Sequence, residues 1–323
     1  MSKSFLSELI GKVRSEFKIR PSNLDTAIKV FKEAIVEKLD ELYKAGNLRI
    51  KDDKKGGVVR GAAYSRAKYE NKTTGNSLCQ NKYFTDGKLE VPYFRSVFNL
   101  PAHTFGLNTI PKSIVRLIGY ESPLMRKKDG TASRAISCDL VGLTSDNRIL
   151  CIEGKVKPHR PATDIVYGLL ESFAYGVCIE YFLAEENRQA EFKKEVQACL
   201  NEFHPNTNGF NEGKLTAAFT LAAPREYFAQ YFEPTHPMTK GKAKKRLSEA
   251  GQLLTAFEKI KRHDWAWAGF MIMEPPCTSS SFDKQNERTF EEKTYVEPHF
   301  KSEPFKVDLA WDISELKDNL IGT

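Results

Sequence analysis

Apolar residues predominate in two neighbouring segments of the chain, residues 136–143 and 149–152, and a polar segment, residues 144–148, separates them. Short apolar runs bounded by polar residues are typical of strands buried in a β-sheet. The polar segment contains Asn147, and asparagine readily adopts the left-handed conformation that a tight turn requires. The pattern therefore predicts a buried antiparallel hairpin.

Charged side chains interrupt this hairpin at Asp139, Glu153 and Lys155. Side chains alternate between the two faces of a strand, so Glu153 and Lys155 point to the same side. A loop at residues 145–147 places Asp139 opposite Glu153, and paired residues share a face. An exposed hairpin could carry all three as a solvated surface. The apolar residues at the other positions instead indicate that at least one face belongs to the core.

Further periodic patterns extend along the chain. Helical spacing of apolar residues predicts helices at residues 21–45, 165–181, 186–203, 224–228 and 242–260, with a shorter one at 113–117. Thr163 is the expected N-cap of the second of these helices. Apolar runs predict strands at residues 120–125, 215–222 and 265–273, and residues 305–316 have strand or helix character. The fold class is therefore α/β, with a mixed central β-sheet flanked by helices and an N-terminal helical and irregular extension.

Two facing carboxylates repel each other unless a cation lies between them, so Asp139 and Glu153 favour a hard divalent ion. Lys155 is suited to orient a nucleophile or to stabilise charge that develops on a phosphate. The backbone carbonyl of Gly154 can supply a further oxygen ligand. The sequence thus predicts one or two hard divalent ions at Asp139, Glu153 and Gly154.

Asp139, followed after thirteen residues by Glu153-Gly154-Lys155, resembles the motif of the PD-(D/E)xK nuclease superfamily. The resemblance implies a restriction-endonuclease-like αβββαβ core, metal binding by the two acids and activation of water by Lys155. Cys138 stands where the proline of the motif name would be. Members of the family often contribute a third acid, for which Glu121 is the nearest candidate. Glu33 and Glu37 on the N-terminal helix are the other candidates.

The composition favours a polyanionic partner, since the chain has 323 residues and a formal net charge of +7. Three basic groups are candidates for binding DNA phosphates. They comprise Lys157 and Arg160 after the second strand of the hairpin, Lys54 and Lys55 in a glycine-bearing segment, and Lys244 and Lys245 at the start of a predicted helix.

Several classes of protein are disfavoured by the sequence. Hydrophobic residues make up 41% of the chain, but no apolar run approaches the length of a membrane span, and the N-terminus lacks a secretory apolar core. The six cysteines are scattered singly, which predicts reduced core thiols. No Walker loop, GxGxxG or HExxH motif is found in the sequence. We expect a cytoplasmic protein with no membrane partner.

Three segments are expected along the chain. Residues 1–105 are an N-terminal helical, basic and aromatic-rich segment, residues 106–275 a nuclease-like α/β core, and residues 276–323 a C-terminal extension. The favoured function is a Mg²⁺-dependent endonuclease that acts on double-stranded DNA, of the restriction type. Cutting both strands predicts a homodimer. A Holliday-junction resolvase, a repair nuclease and a non-catalytic nucleic-acid-binding protein with a degenerate site remain as alternatives.

Overall fold

The predicted hairpin lies at the centre of a seven-stranded mixed β-sheet in a computed structural model. The structure describes residues 5–19, 23–45, 79–80, 90–98, 100–108, 113–125, 136–156, 164–207, 213–232, 242–260, 269–274, 287–290, 293–296, 305 and 307–321. Everything below refers to these residues.

Eight helices and ten strands are found in this part of the chain. The helices are α1 (Phe5–Ile19), α2 (Leu24–Lys44), α3 (Glu90–Phe98), α4 (Ile165–Leu183), α5 (Glu186–Phe203), α6 (Arg225–Phe232), α7 (Ala243–Ile260) and α8 (Ile313–Ile321). The strands are β1 (Cys79–Gln80), β2 (Thr104–Leu107), β3 (Ser113–Met125), β4 (Ile136–Thr144), β5 (Arg148–Gly154), β6 (Thr216–Ala223), β7 (Phe270–Met273), β8 (Glu287–Phe290), β9 (Lys293–Val296) and β10 (Val307–Ala310).

The large sheet has the strand order β10-β7-β6-β5-β4-β3-β2, and β1, β9 and β8 form a separate small sheet. Strands β2 to β5 form an antiparallel meander, whereas β6 is parallel to β5 and β7 is parallel to β6. A flat sheet of seven strands would separate its edges by roughly 28 Å. The rings of Phe105, after the start of β2, and Phe305, just before β10, are nevertheless 5.9 Å apart. The sheet is therefore strongly curved.

The turn between β4 and β5 has the predicted loop and register. Leu140 pairs with Ile152, and Leu143 pairs with Ile149, which confirms an antiparallel hairpin closed by residues 145–147. Asn147 has a φ of 62°, in the left-handed region. The backbone N–H of Arg148 donates to Thr144 Oγ1 at 2.9 Å and thereby ties the two strand ends together.

Helix α4 packs on one face of the sheet. Residue Gly168 approaches Leu221 of β6 so closely that a built Cβ atom would lie 2.6 Å from Leu221 Cδ1. Phe173 stacks on Phe257 of α7 at 4.4 Å. The N-cap is Asp164, whose Oδ1 accepts the N–H of Tyr167 at 2.8 Å. The expectation that Thr163 would be the cap was therefore wrong by one residue.

Helix α3 packs on the opposite face. Leu221 pairs with Glu153 and contacts α4, so the next residue, Gly154, faces away from α4. A Cβ atom built on Gly154 would lie 1.9 Å from the ring of Phe94, which places α3 against the sheet there. The hydroxyl of Tyr93 donates to the carbonyl of Met273 at 2.5 Å. The sheet is thus covered on both faces, which explains the apolar runs in its strands.

The N-terminal helices pack on the outer side of α4. Lys32 of α2 forms an ion pair with Glu180 at 2.7 Å, and the hydroxyl of Tyr181 donates to Asp40 at 2.7 Å. In α1 the guanidinium of Arg14 contacts Asp164 at 2.8 Å. The buried apolar residues of α1 and α2 join one core with those of the sheet. The predicted domain boundaries remain predictions.

Most of the helices and strands predicted from the sequence are found in the structure. The predicted helices match α2, α4, α5, α6 and α7, and the predicted strands overlap β3, β6 and β7. The short helix expected at residues 113–117 is instead the first part of β3, because this segment pairs with both β2 and β4. Helices α1 and α3 are not among the elements predicted from the sequence.

Two observations concern the class of protein. Cys138, Cys151, Cys178 and Cys199 are buried, and none of these four forms a disulfide, as expected. Within the described ranges, α4 is the one helix long and apolar enough to cross a membrane, but 83% of its most apolar stretch is buried inside the fold. The helix therefore belongs to the core of the fold.

Acidification is expected to destabilise the fold through His204. Its Nε2 atom contacts the carbonyl of Leu117 at 2.8 Å. Burial lowers the pKa of His204, and the bond to Leu117 only partly opposes this. The unfolded chain therefore binds more protons as the pH falls through about 6.5, so the free energy of unfolding decreases.

Urea unfolding at pH 7.5, 6.5 and 5.5 measures this effect. We expect the loss of stability towards pH 5.5 to be smaller in the variant His204→Gln, which retains an N–H donor but does not titrate. The two proteins are compared by the slope of the free energy of unfolding against pH, because the substitution also changes the packing and therefore the stability at every pH. An equal loss in both proteins would contradict the prediction.

Candidate functional site

The ends of β4 and β5 bring the three predicted site residues together. The observed hairpin register sets Asp139 beside Glu153 on neighbouring strands, on the face that carries α4. The backbone N–H of Gly154 donates to Asp139 Oδ2 at 2.8 Å, which holds the aspartate at the end of the hairpin. Glu153 is only 4% exposed. A buried acid at this position requires compensation of its charge.

Lys155 provides part of this compensation. Its backbone N–H donates to the carbonyl of Ala222 at 2.9 Å, which extends the β5–β6 ladder by one residue. Its ammonium forms a buried ion pair with Glu153 and lies 2.9 Å from Glu171 Oε2. Lys155 is 6% exposed. The lysine therefore bridges an acid of the sheet and an acid of α4.

Two acids that the sequence analysis missed complete the site. Glu171 projects from α4, and Glu90 projects from the first turn of α3 and accepts a hydrogen bond from the backbone N–H of Val156. The candidates Glu33 and Glu37 are instead exposed on α2, and the side chain of Glu121 lies outside the described residues. Glu171 had a signal in the sequence, since it is one of two charged residues in an otherwise apolar helix.

The site contains more acidic than basic side chains. Burial, and after it the Glu153 carboxylate, raise the pKa of Asp139 well above its ordinary value. Burial also raises the pKa of Glu90 and of Glu171, although the nearby Lys155 ammonium opposes both shifts. Burial by itself lowers the pKa of Lys155, but Glu153 and Glu171 outweigh it, so the pKa lies well above the usual lysine value. The lysine is therefore charged, and the acids compete for it.

Tyr175 closes the site on the α4 side. It is buried one turn after Glu171, and burial raises the pKa of its hydroxyl well above the ordinary value, an effect to which Glu153 and Glu171 add. The hydroxyl is therefore neutral at physiological pH. Such a group can donate a hydrogen bond beside the acids without adding charge.

The donor set suits a hard divalent cation in its chemistry. Asp139, Glu153, Glu171 and Glu90 supply carboxylate oxygens around one ammonium, and such oxygens are the ligands that Mg²⁺ prefers. Among the described residues, no group of three or more His, Cys, Asp or Glu side chains has the spacing that would hold a metal ion. The carboxylates therefore have the chemistry of Mg²⁺ ligands. One of the two predicted metal-binding acids, Glu153, is already paired with the Lys155 ammonium.

The predicted DNA-contacting residues are only partly described. Lys244 and Lys245 are exposed in the first turn of α7, and Lys245 Nζ lies 3.9 Å from Glu249. The adjacent Arg246 contacts Asp164 at 3.4 Å, so this turn lies beside the start of α4. The other four residues, Lys54, Lys55, Lys157 and Arg160, lie outside the described residues.

Comparisons with known proteins add no assignment. No protein-family model matches the chain, and neither a curated protein nor a solved structure is significantly similar to it. The interpretation of the site therefore rests on its own geometry.

Gly154 is expected to tolerate no side chain, because the ring of Phe94 occupies the space of a Cβ atom. Gly154→Ala should push α3 away from the sheet and lower the free energy of unfolding by about 1–3 kcal/mol, as overpacking of a core does. Chemical denaturation measures the change.

Gly106→Ala is the matched control, since nothing lies within 4 Å of a Cβ atom built on this strand residue. The second substitution Phe94→Ala should make Gly154→Ala less damaging, because it removes the clashing ring. Equal effects of Gly154→Ala and Gly106→Ala would show that α3 does not press on Gly154.

Proposed function

We propose that the protein is a Mg²⁺-dependent endonuclease that hydrolyses phosphodiester bonds of DNA. The observation that carries the proposal is the convergence of Asp139, Glu153 and Lys155 at the ends of two paired strands. A match to the motif that arose by chance need not bring these three side chains to one face of a sheet. A working nuclease motif requires that they come together.

The order of elements gives further support. Helix α3, strands β3, β4 and β5, helix α4 and strand β6 follow one another in the order helix, three strands, helix, strand, with β2 and α5 as additions. The PD-(D/E)xK resemblance implies this αβββαβ order for a restriction-endonuclease-like core. The meander β3-β4-β5 and the parallel neighbour β6 place the motif at the centre of the sheet.

The residues divide the work of phosphodiester hydrolysis between them. Asp139, Glu153 and the carbonyl of Gly154 would hold one or two Mg²⁺ ions, which supply stabilisation of the charge that develops on the phosphate. The Lys155 ammonium, which also contacts Glu171, orients the attacking water and neutralises part of the same charge. Burial of the site strengthens these electrostatic interactions, because little water screens them.

The substrate in this proposal is double-stranded DNA, and the enzyme is a cytoplasmic restriction-type endonuclease that works as a homodimer. The net charge of +7 favours a polyanion. Lys244 and Lys245 are exposed near the start of α4, the helix that carries Glu171. A Holliday-junction resolvase or a repair nuclease would use the same site on branched or damaged DNA.

A non-catalytic DNA-binding protein is the second candidate. One specific observation favours it, namely the buried ion pair between Lys155 and Glu153, which neutralises an acid that a metal would need. In this alternative the charged cluster is a structural remnant, and only the basic surface acts on nucleic acid.

Cleavage assays on plasmid, linear and branched DNA separate the two candidates. We expect Mg²⁺-dependent nicking by the wild type and a loss of at least about 100-fold in Asp139→Ala, Glu153→Ala and Lys155→Ala, because each removes a group that acts on the reacting phosphate. Glu37→Ala and Lys29→Ala are controls, since both residues are exposed on α2. Full cleavage by the three site variants, or cleavage that ignores Mg²⁺, would refute the nuclease proposal.

Binding to DNA is expected to depend on the first turn of α7. The double variant Lys244→Ala/Lys245→Ala should weaken binding and reduce the slope of log affinity against log salt by about 2, one for each lost phosphate contact. Fluorescence anisotropy with labelled duplex DNA at several salt concentrations measures both quantities. Lys193→Ala/Lys194→Ala, a lysine pair on α5, is the matched control, and an equal effect of the two double variants would contradict this interface.

A further inference from the structure

Lys155 already acts as the cation of the carboxylate cluster. Its ammonium is buried, contacts Glu153 directly and lies 2.9 Å from Glu171 Oε2. A buried ion pair survives only if each charge retains a partner, since removal of one partner leaves an uncompensated charge. Any cation that binds Glu153 must therefore contend with the ammonium that is already there.

Glu171 offers the ammonium an alternative position. The carboxylate comes from α4, whereas Glu153 comes from β5, so the two acids approach Lys155 from different elements. Glu171 Oε2 is buried, and the Lys155 ammonium lies close enough to it for an ion pair. Tyr167 and Tyr175 border the same acid and add no further positive charge.

We infer that Lys155 is a built-in competitor for the metal, and that Glu171 is the positioning residue that receives its ammonium when a divalent cation binds Asp139 and Glu153. The inference rests on the proposed metal site and deepens it, because it states which group balances part of the acidic charge without metal. In this arrangement the lysine releases Glu153, keeps its contact with Glu171 and remains close to the reacting phosphate.

The same arrangement regulates the site by metal concentration. The two cations repel each other, so the metal binds more weakly than the carboxylates alone would allow. When no metal is bound, the Lys155 ammonium stabilises the fold, because it balances part of the charge of the buried acids. Removal of Lys155 and removal of the Glu171 charge should therefore change metal affinity in opposite directions.

Calorimetric titration of the full chain with Mn²⁺, a spectroscopically convenient substitute for Mg²⁺, tests the inference without any measurement of cleavage. Lys155→Met should tighten binding about 10-fold, because it removes the competitor. Glu171→Gln should weaken binding about 10-fold, because it leaves the displaced ammonium without a partner. Glu37→Gln, an exposed acid on α2, is the matched control and should change nothing.

The double variant Lys155→Met/Glu171→Gln distinguishes positioning from direct binding. If Glu171 acts through the lysine, Glu171→Gln has little effect once Lys155 is absent, and the two substitutions are strongly non-additive. If Glu171→Gln weakens binding equally in both backgrounds, Glu171 acts on the metal itself and the inference is overturned. It is also overturned if Lys155→Met fails to tighten binding.

Folding is checked by thermal unfolding without metal, and Lys155→Gln replaces Lys155→Met if the latter does not fold. The outcomes for the two proposals are separable. A protein that shows this pattern of affinities but cuts no DNA supports the competitor and refutes the nuclease. If the protein cleaves DNA but substitution of Lys155 does not change the Mn²⁺ affinity, the nuclease proposal is supported and the competitor is refuted. A wild type that binds no Mn²⁺ refutes both proposals.

Discussion

The rest of the site depends on the ion pairs of the Lys155 ammonium with Glu153 and Glu171. The ammonium is buried just after the end of β5 and contacts Glu153 of that strand and Glu171 of α4. Without it, the carboxylates of Asp139, Glu153 and Glu171 would repel one another in a region that little water can screen. Burial raises the pKa values of Asp139 and Glu171, and the neighbouring Glu153 carboxylate adds to both shifts. Acidic groups therefore outnumber basic groups among the described residues of the site.

The curvature and double covering of the sheet create this environment. Helix α4 covers one face and contributes Glu171, whereas α3 covers the other and contributes Glu90 at the edge. Close approach of α3 is possible because Gly154 leaves space for the ring of Phe94. The residue between the acid and the base of the motif therefore has a packing role besides the ligand role proposed for its carbonyl.

Local patterns were sufficient for the hairpin and for most of the helices. Apolar periodicity identified α2, α4, α5 and α7, and the parity of the loop paired Asp139 with Glu153. The same reasoning failed at the start of β3, where a segment with helical spacing pairs with strands on both sides. Ladder hydrogen bonds outweigh a weak local preference, which a short segment cannot reveal.

The sequence by itself determined the fold class, the hairpin and the three charged residues that meet on it, because strand alternation and turn chemistry act over a few neighbouring residues. Only the tertiary structure decided which distant acids join them. Glu90 and Glu171 are separated from the hairpin along the chain, and their places follow from the packing of α3 and α4 on opposite faces. The charge balance of the site follows from contacts between distant segments, which no local pattern encodes.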